Sequence, residues 1–371
     1  MLRKAASERD LYRMCTKTFT WRLLTGQELT EVYLNEMRRD FPAGELKPLS
    51  MILNSEAAGT AHTWGVYEDD ALVAYLLMVR PVGCAMSQLD YFAVLPQYLL
   101  PKQALTSTAG RLARARAGRW TTMAIERFIA RYNVNMAEAE NPDPAAYATF
   151  NDFFTRALKP GARPQASATW ICPVDGAISQ FGRIERDQVF QAKGHSYSTT
   201  ALVGGDAARA AVFDDGHFAT LYLSPRDYHR IHMPCAGRLL HMMHVPGALF
   251  SVNPTTARGV PGLFARNERV VCVFEGSHGP FVMVLVGATI VGSMATSWHG
   301  MVNPPRTGAL RRWDYKERTI RLAQGEEMGR FLLGSTVVLL LPAGPLQFNP
   351  EWQAGHPVRL GQTMANRPGK R

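Results

Sequence analysis

The alternation of apolar and polar positions divides the chain into stretches of different texture. Residues 25–97 read as a small α/β unit. Thr30 to Arg39 has helical spacing, and Trp64–Tyr67, a Glu68-Asp69-Asp70 turn and Ala71–Val79 read as a β-hairpin. Leu89–Pro96 reads as a further strand stopped by proline. Thr108 to Tyr132 is strongly helical. Arg111, Arg114, Arg116, Arg119, Arg127 and Arg131 are set there among Leu112, Trp120, Met123, Ile125, Phe128 and Ile129, with Glu126 the only acid. From about Pro164 to Arg359 short strands alternate with Gly and Pro. Val212–Phe213, Ala219–Leu223, Arg238–His244, Val270–Glu275, Phe281–Val286, Thr289–Met294 and Thr336–Leu341 are the expected strands. This pattern predicts a compact sandwich or barrel-like β domain.

Phe281–Trp298 and Phe331–Phe348 are uncharged and long enough to raise the question of a membrane span. Gly287 and Gly292 interrupt the first, and Gly334-Ser335-Thr336 and Pro342-Ala343-Gly344-Pro345 interrupt the second. Both read as pairs of buried strands joined by turns. Met1-Leu2-Arg3-Lys4 is followed by Glu8 and Asp10, so no secretory signal is expected.

Composition sharpens this division. The chain has 371 residues, 46% of them hydrophobic, which excludes wholesale disorder. Its formal net charge is +10, and the excess is uneven. Residues 1–97 hold 10 Lys and Arg against 12 Asp and Glu, a net of −2. Residues 98–371 hold 31 against 19, a net of +12. A basic body implies a polyanionic partner, either nucleic acid or an anionic membrane surface. No zinc finger, RNP-like strand pair or clear helix-turn-helix supports nucleic acid. A basic amphipathic helix carrying Trp and Phe suits an anionic bilayer, although an ordinary surface helix has the same pattern. The five cysteines, Cys15, Cys84, Cys172, Cys235 and Cys272, are scattered and form no CxxC pair. This argues against a disulfide scaffold and a cysteine-based metal site.

Three clusters could carry chemistry. Asp175-Gly176 follows a predicted strand, where such a pair usually makes a turn. Asp227-Tyr-His229-Arg-Ile-His232-Met-Pro234 holds two histidines three apart. Pro225 and Pro234 leave little room for a metal-binding helix, and acid–base work is the other reading. In Leu333-Gly334-Ser335-Thr336 a Gly-Ser step interrupts a Val/Leu-rich run. Such a step is usually a bulge, but a strained Gly-Ser bond also permits attack by the serine hydroxyl on the preceding carbonyl. That serine needs a base, and the base an orienting carboxylate. Asp175, His232 and Ser335 supply such a set if the fold gathers them.

From Tyr98-Leu-Leu-Pro-Lys102 to about Met364 the chain resembles the phosphatidylserine decarboxylases of the bacterial and mitochondrial type. The likeness is carried by Thr149-Phe-Asn-Asp-Phe-Phe-Thr-Arg156, Leu158-Lys-Pro-Gly-Ala-Arg-Pro164, Pro173-Val-Asp-Gly176 and Lys193-Gly-His-Ser-Tyr-Ser198. Asp227–Pro234, Leu249-Phe-Ser-Val-Asn-Pro254, Leu263-Phe-Ala-Arg-Asn-Glu-Arg269, Gly325–Phe331 and Leu333–Thr336 complete it in family order. The front piece resembles the first half of a GNAT-type acetyltransferase through Phe41-Pro42, Asp69–Tyr75 and Leu89–Tyr98. It lacks that family's glycine-rich pyrophosphate loop.

The resemblance implies an α+β fold: a mainly β decarboxylase domain preceded by amphipathic helices, plus a small α/β N-terminal extension. The expected division is 1–97 for the extension and 98–371 for the decarboxylase. The latter comprises a helical membrane-proximal part, 98–160, and a β-rich catalytic part, 161–371. It implies a proenzyme that cuts itself at Gly334–Ser335, giving a β chain 1–334 and an α chain 335–371. Ser335 attacks the Gly334 carbonyl, and the resulting ester resolves by elimination and hydrolysis to a pyruvoyl group with loss of ammonia. His232 is the implied general base, Asp175 its orienting carboxylate, and His229 the acid that protonates the substrate Cα. The pyruvoyl group is the expected cofactor, an electron sink for loss of CO2 from phosphatidylserine. No metal is expected. Lys193 and Arg266 are candidate substrate-binding residues, with Arg230 and Arg269 further cations near family motifs. The expected setting is peripheral, on the cytoplasmic face of the cytoplasmic membrane, as a homodimer and without nucleic acid. Decarboxylation of a soluble amino acid and a non-catalytic membrane-surface module are the competing readings.

Overall fold

The computed structural model describes residues 19–37, 49–57, 61–68, 71–79, 102–192, 195–289, 293–303, 306, 308–332 and 336–367. The chain divides into two compact units, Met1–Phe92 and Ala93–Arg371.

The first unit runs strand, helix, helix, hairpin. Phe19–Leu24 pairs antiparallel with Ala61–Glu68, which pairs in turn with Ala71–Val79, as the hairpin reading expects. The helix expected over 30–39 begins earlier, at Gly26–Val32, and continues as a π-helical turn, Tyr33–Met37. Leu24, Leu29, Val32, Tyr33, Ile52 and Tyr67 form its core. The strand expected at Leu89–Pro96 lies outside the described residues.

The second unit opens with two helices where the spacing predicts one. Lys102–Ala113 and Arg119–Tyr132 are separated because Gly118 takes φ +53°, outside the helical region. The Thr121 hydroxyl accepts the Ala117 N–H at 3.1 Å, giving that donor a partner outside a continuous helix. Ile125 of the second helix is fully buried, and Phe128 meets Phe150, Phe153 and Phe154 edge-on. The Phe150–Phe154 helix is started by a reciprocal capping box between Thr149 and Asp152.

The remainder is built on a nine-stranded antiparallel sheet. Its order is Arg311–Asp314, Gly237–Val245, Arg269–Gly276, Gly279–Val286, Thr336–Leu341, His217–Tyr222, Gly176–Arg183 and Pro357–Val358, with Arg321–Leu322 beside Gly237–Val245. The central strands read as continuous apolar runs because both faces are covered. Cys272, Phe274, Met283, Leu285, Val337 and Leu339 face one core. That core is shared with the four-stranded sheet of Gly300–Met301, Met294–Thr296, Glu327–Phe331 and Arg230–His232. Val271, Val273, Val282, Val284, Val338 and Leu340 face the other, closed by the short helices Thr199–Leu202, Pro254–Gly259 and Leu263–Arg266. Each such side chain, removed from water, contributes about 1.5–3 kcal/mol.

The fold is therefore mixed, with many antiparallel strands, and among the described residues the main sheet is an open path. Most expected strands match within a residue or two. Val212–Phe213 does not: Ala211–Phe213 is a 3₁₀ turn continuing the Asp206-capped helix Ala207–Ala210, and Phe213 is driven inward as a core residue. A two-residue apolar run cannot distinguish the two. A further difference is at Thr289–Met294, where the described strand is Met294–Thr296 and residues 290–292 lie outside the described residues. Both long uncharged stretches contain strands, and among the described residues no helix is long and apolar enough to cross a membrane.

Candidate active site

Residues 333–335 lie outside the described residues, and so do Gly334 and Ser335 as expected cleavage positions and Lys193 as an expected substrate ligand. The chain on either side is well anchored. The Phe331 N–H donates to the His229 carbonyl at 3.0 Å, and the Leu332 N–H donates to that of Ser293 at 2.9 Å. On the far side Thr336 pairs with both Tyr222 and Val286 in the main sheet. The described chain thus leaves the smaller sheet at Glu327–Phe331 and enters the larger one at Thr336–Leu341.

Asp175 reaches this region through its neighbour. Gly176 begins a strand paired with His217–Tyr222, and a Cβ on Gly176 would overlap the Tyr222 carbonyl oxygen. The glycine is demanded by close backbone approach, not by a turn conformation. The buried Asp175 carboxylate receives Arg163 Nε at 2.9 and 3.0 Å, Arg163 Nη2 at 2.5 Å and the Leu360 N–H at 2.9 Å. Arg163 Nη2 also donates to Glu138 at 2.6 Å. Burial acts to raise the Glu138 pKa, but hydrogen bonding and charge from Arg163 hold it below its usual value. Burial likewise opposes the Arg163 charge, and its two carboxylate partners raise its pKa.

His229 directly precedes the Arg230–His232 strand and His232 ends it, so the pair does not share a helix face. His229 is fully buried against Phe154, with ring centroids 4.0 Å apart. Its Nδ1 faces the Asp227 carbonyl at 2.8 Å, which assigns the proton to Nδ1. Nε2 is then a buried lone pair with no hydrogen-bond partner among the described residues. Burial, assisted by the Arg156 charge, pushes its pKa down to about 3. Thr336, directly after the Gly-Ser step, likewise has a buried hydroxyl without a partner among the described residues.

His232 donates from Nδ1 to the Gly325 carbonyl at 2.9 Å, and its Nε2 accepts from the Tyr228 hydroxyl at 3.1 Å. Burial lowers its pKa, with the Gly325 bond and the Glu327 and Asp175 charges acting in the opposite direction. Burial pushes Tyr228 up to about 12. The His232 N–H donates to the Pro173 carbonyl at 2.9 Å, which brings the Asp175 segment alongside. The described hydrogen bond that orients the imidazole nevertheless comes from Gly325, while the Asp175 carboxylate is bonded to Arg163 and Leu360. Asp175 acts on His232 through its field.

The other cations separate. Arg269 donates to the carbonyls of Leu202, Ala201 and Asn267, and serves the fold. Arg266 lies 5.2 Å from the centre of the Phe250 ring, and Lys102 lies 4.3 Å from the same centre. Among the described residues no contact joins Arg266 to Asp175, His229 or His232. Arg230 stands beside the histidines and bonds Glu327 at 2.9 Å and the Thr155 carbonyl at 2.8 Å. Sequence reasoning missed Tyr228, Arg163 and Gln324. The first two sit inside motifs already singled out. Gln324 had no local signal. Its amide donates to the carbonyls of Ala168 at 3.1 Å, Thr169 at 3.4 Å and Pro234 at 3.0 Å, pinning the loop that presents Gly325.

A neutral buried histidine with an open Nε2, a second oriented histidine and a clamped carboxylate are groups of the kind that acid–base chemistry requires. The family described as phosphatidylserine decarboxylase matches residues 150–366, and one described as PSD matches residues 92–133. The chain is 74% identical over 279 residues to a protein of Albidiferax ferrireducens, covering 75% of this chain and 98% of that one. It is 74% identical over 280 residues to one of Acidovorax ebreus, covering 76% and 99%. A protein of Azoarcus sp. is 74% identical over 277 residues, with 75% and 96% covered. All three are named phosphatidylserine decarboxylase proenzyme. The chain belongs to the phosphatidylserine decarboxylase family, and is an enzyme of the carboxy-lyase class.

Proposed function

We infer that the protein is a self-processing decarboxylase that converts phosphatidylserine to phosphatidylethanolamine and CO2, with Ser335 as both nucleophile and origin of a pyruvoyl group. The observation that carries this reading is the convergence on the 333–335 crossing. His229 holds the incoming strand through its carbonyl, and Thr336 begins the outgoing one paired with Tyr222, whose other edge Gly176 approaches.

The residues suit the chemistry. His232 with its proton on Nδ1 has a lone pair on Nε2, the form a general base requires. The Tyr228 hydroxyl on that nitrogen either moves aside or relays the proton from Ser335. Attack by the Ser335 hydroxyl on the Gly334 carbonyl breaks the Gly334–Ser335 amide bond and leaves an ester. Asp175 favours the imidazolium that forms, as a negative charge held in place by Arg163. The unpartnered His229 Nε2 and Thr336 hydroxyl are buried polar atoms that a carbonyl group at residue 335 and its substrate would satisfy. Such a group withdraws the electrons released when CO2 departs. The His229 Nε2 lone pair would take a proton from the substrate ammonium as the amine engages the carbonyl group and return it to the substrate Cα after CO2 departs.

Several observations support a bilayer setting. Leu112, Trp120 and Met123 are exposed at 69%, 62% and 54% in a stretch that also carries Arg111, Arg114, Arg116, Arg119, Arg127 and Arg131. Apolar side chains with flanking cations fit the interface of an anionic membrane. We place the enzyme peripherally on the cytoplasmic side, as a homodimer of cleaved chains. The first unit fits an acetyltransferase-like remnant appended before the decarboxylase, in keeping with family matches that begin at residue 92.

The test uses purified wild type and Ser335→Ala. Wild type should run as two fragments, 1–334 and 335–371, with a blocked N-terminus on the smaller, and release CO2 from phosphatidylserine vesicles. Ser335→Ala should remain intact and inactive. An active wild type that runs as a single intact chain would overturn the reading.

A further inference from the structure

We propose that Arg156, with Arg230 and Arg330, forms the subsite for the substrate's phosphodiester; this rests on the decarboxylase reading above. Arg156 is 4% exposed. Its guanidinium donates to the Arg226 carbonyl at 3.3 Å and lies 5.4 Å from the centre of the Phe153 ring. Among the described residues its Nε is buried without a hydrogen-bond partner and no carboxylate lies within ion-pairing distance. Asp175, Asp227 and Glu138 act on it only through their fields. A buried cation without a bonded anion is costly, and buried charges in folded proteins are ordinarily paired.

The space beside it supplies a place for that anion. A cavity of about 270 Å³ is lined by Arg156, Arg230 and Arg330 together with Thr155, Asn141 and Tyr147. Glu327 bridges two of the arginines, at 2.9 Å from Arg230 and 2.6 Å from Arg330, so that trio retains one positive charge. With Arg156 the inner wall carries two. The acids that also line the cavity, Glu140 and Asp152, are solvent-exposed, and Asp152 accepts the Thr149 N–H in the capping box. Water weakens their field relative to that of the buried cation.

The position suits the substrate. Arg230 is the chain neighbour of His229, and Arg156 is close enough to depress His229 protonation. In a phosphoserine ester the phosphorus is separated from the Cα by one oxygen and one methylene. A phosphodiester seated on Arg156 and Arg330 therefore keeps the Cα near the His229 ring, and selects esterified serine over free serine. Guanidinium groups match phosphate oxygens in both charge and geometry.

The experiment is steady-state decarboxylation of a short-chain phosphatidylserine, below its micelle concentration, by wild type, Arg156→Lys and Arg330→Gln. Self-cleavage on a gel reports folding. The expected result is a KM raised about 10- to 100-fold by loss of a charge-assisted bond, with the larger effect on KM than on kcat. Inorganic phosphate should inhibit wild type competitively and the variants more weakly. An unchanged KM in variants that self-cleave overturns the proposal, as does non-competitive inhibition, which would place free phosphate elsewhere. If Arg156→Lys fails to fold, Arg330→Gln and the phosphate competition decide. Failure of wild type itself to turn over phosphatidylserine would strike the decarboxylase reading instead.

Discussion

Arg163 clasps the Asp175 carboxylate with Nε at 2.9 and 3.0 Å and Nη2 at 2.5 Å, and the same Nη2 reaches Glu138 at 2.6 Å. The carboxylate next to His232 is thus held by a cation from the loop before the first strand of the catalytic unit. The pair is largely buried, with side-chain exposures of 9% and 10%. Removing Arg163 leaves the Asp175 carboxylate charged and without its counter-ion, whereas Arg163 without Asp175 would keep Glu138.

Arg163→Met should therefore destabilise the protein by about 3–5 kcal/mol and slow self-cleavage. Thermal denaturation and a cleavage time course measure the two effects. Asp175→Asn, which keeps the shape and loses the charge, should impair cleavage more than it impairs stability. Equal, small effects on cleavage from both variants would remove Asp175 from the reaction.

Gly325 carries the acceptor that orients His232, and takes φ +77° with a Cβ position overlapping the Gln165 amide. Gly325→Ala should displace this carbonyl and slow self-cleavage. Gln324→Leu should do so more mildly, by about 1–3 kcal/mol of destabilisation from three carbonyls losing a donor. The rate of appearance of the 335–371 fragment is the readout. Unaltered cleavage in Gly325→Ala would show that the imidazole is oriented by another group.

Tyr228→Phe separates a relay from a displaced partner. With a relay, self-cleavage should slow at least about tenfold, the lower range for lost acid–base assistance. With a displaced hydroxyl, the rate should hold or rise. A pH profile of the cleavage rate distinguishes both from simple misfolding.

His229 is neutral when buried, with a pKa pushed down to about 3 from an ordinary 6.5, and His232 is shifted the same way. The unfolded chain binds these protons more readily. Their contribution to stability is thus present above about pH 6.5 and lost as pH falls toward 3. Melting temperature should decline through this window, and His229→Asn should flatten the decline. An identical slope in the variant would contradict the burial argument.

Trp120 and Met123 should govern membrane attachment. Replacing both with Ser should reduce flotation with anionic vesicles without affecting self-cleavage, and high salt should weaken wild-type binding. Salt-insensitive flotation, or none at low salt, would argue for a soluble substrate.

Much of the architecture was legible along the chain. The Ala61–Glu68 and Ala71–Val79 hairpin and the strands at 237–245, 269–276, 279–286 and 336–341 follow from apolar runs with turn residues between them. The break at Gly118 was hidden, because helical spacing continues across it and only the local φ marks it. The same limit applied to the site. The residue types of Asp175, His229 and His232 stood out within their motifs, but hydrogen-bond partners are long-range facts. Gly325 is distant in sequence from His232, and nothing in its own segment marks its carbonyl as the acceptor.

By itself the sequence determined the family, the reactive groups and the alternation that buries both faces of the central sheet, because each of these is written in residue identity and local period. Only the tertiary structure decided who bonds whom. It gave Asp175 to Arg163, His232 to Gly325 and Tyr228, and left His229 Nε2 and Arg156 Nε without partners among the described residues. The reason is physical. A strand or helix is selected by neighbours along the chain, whereas the charge state and orientation of a buried side chain are set by whichever distant groups the folded sheets bring within hydrogen-bonding distance.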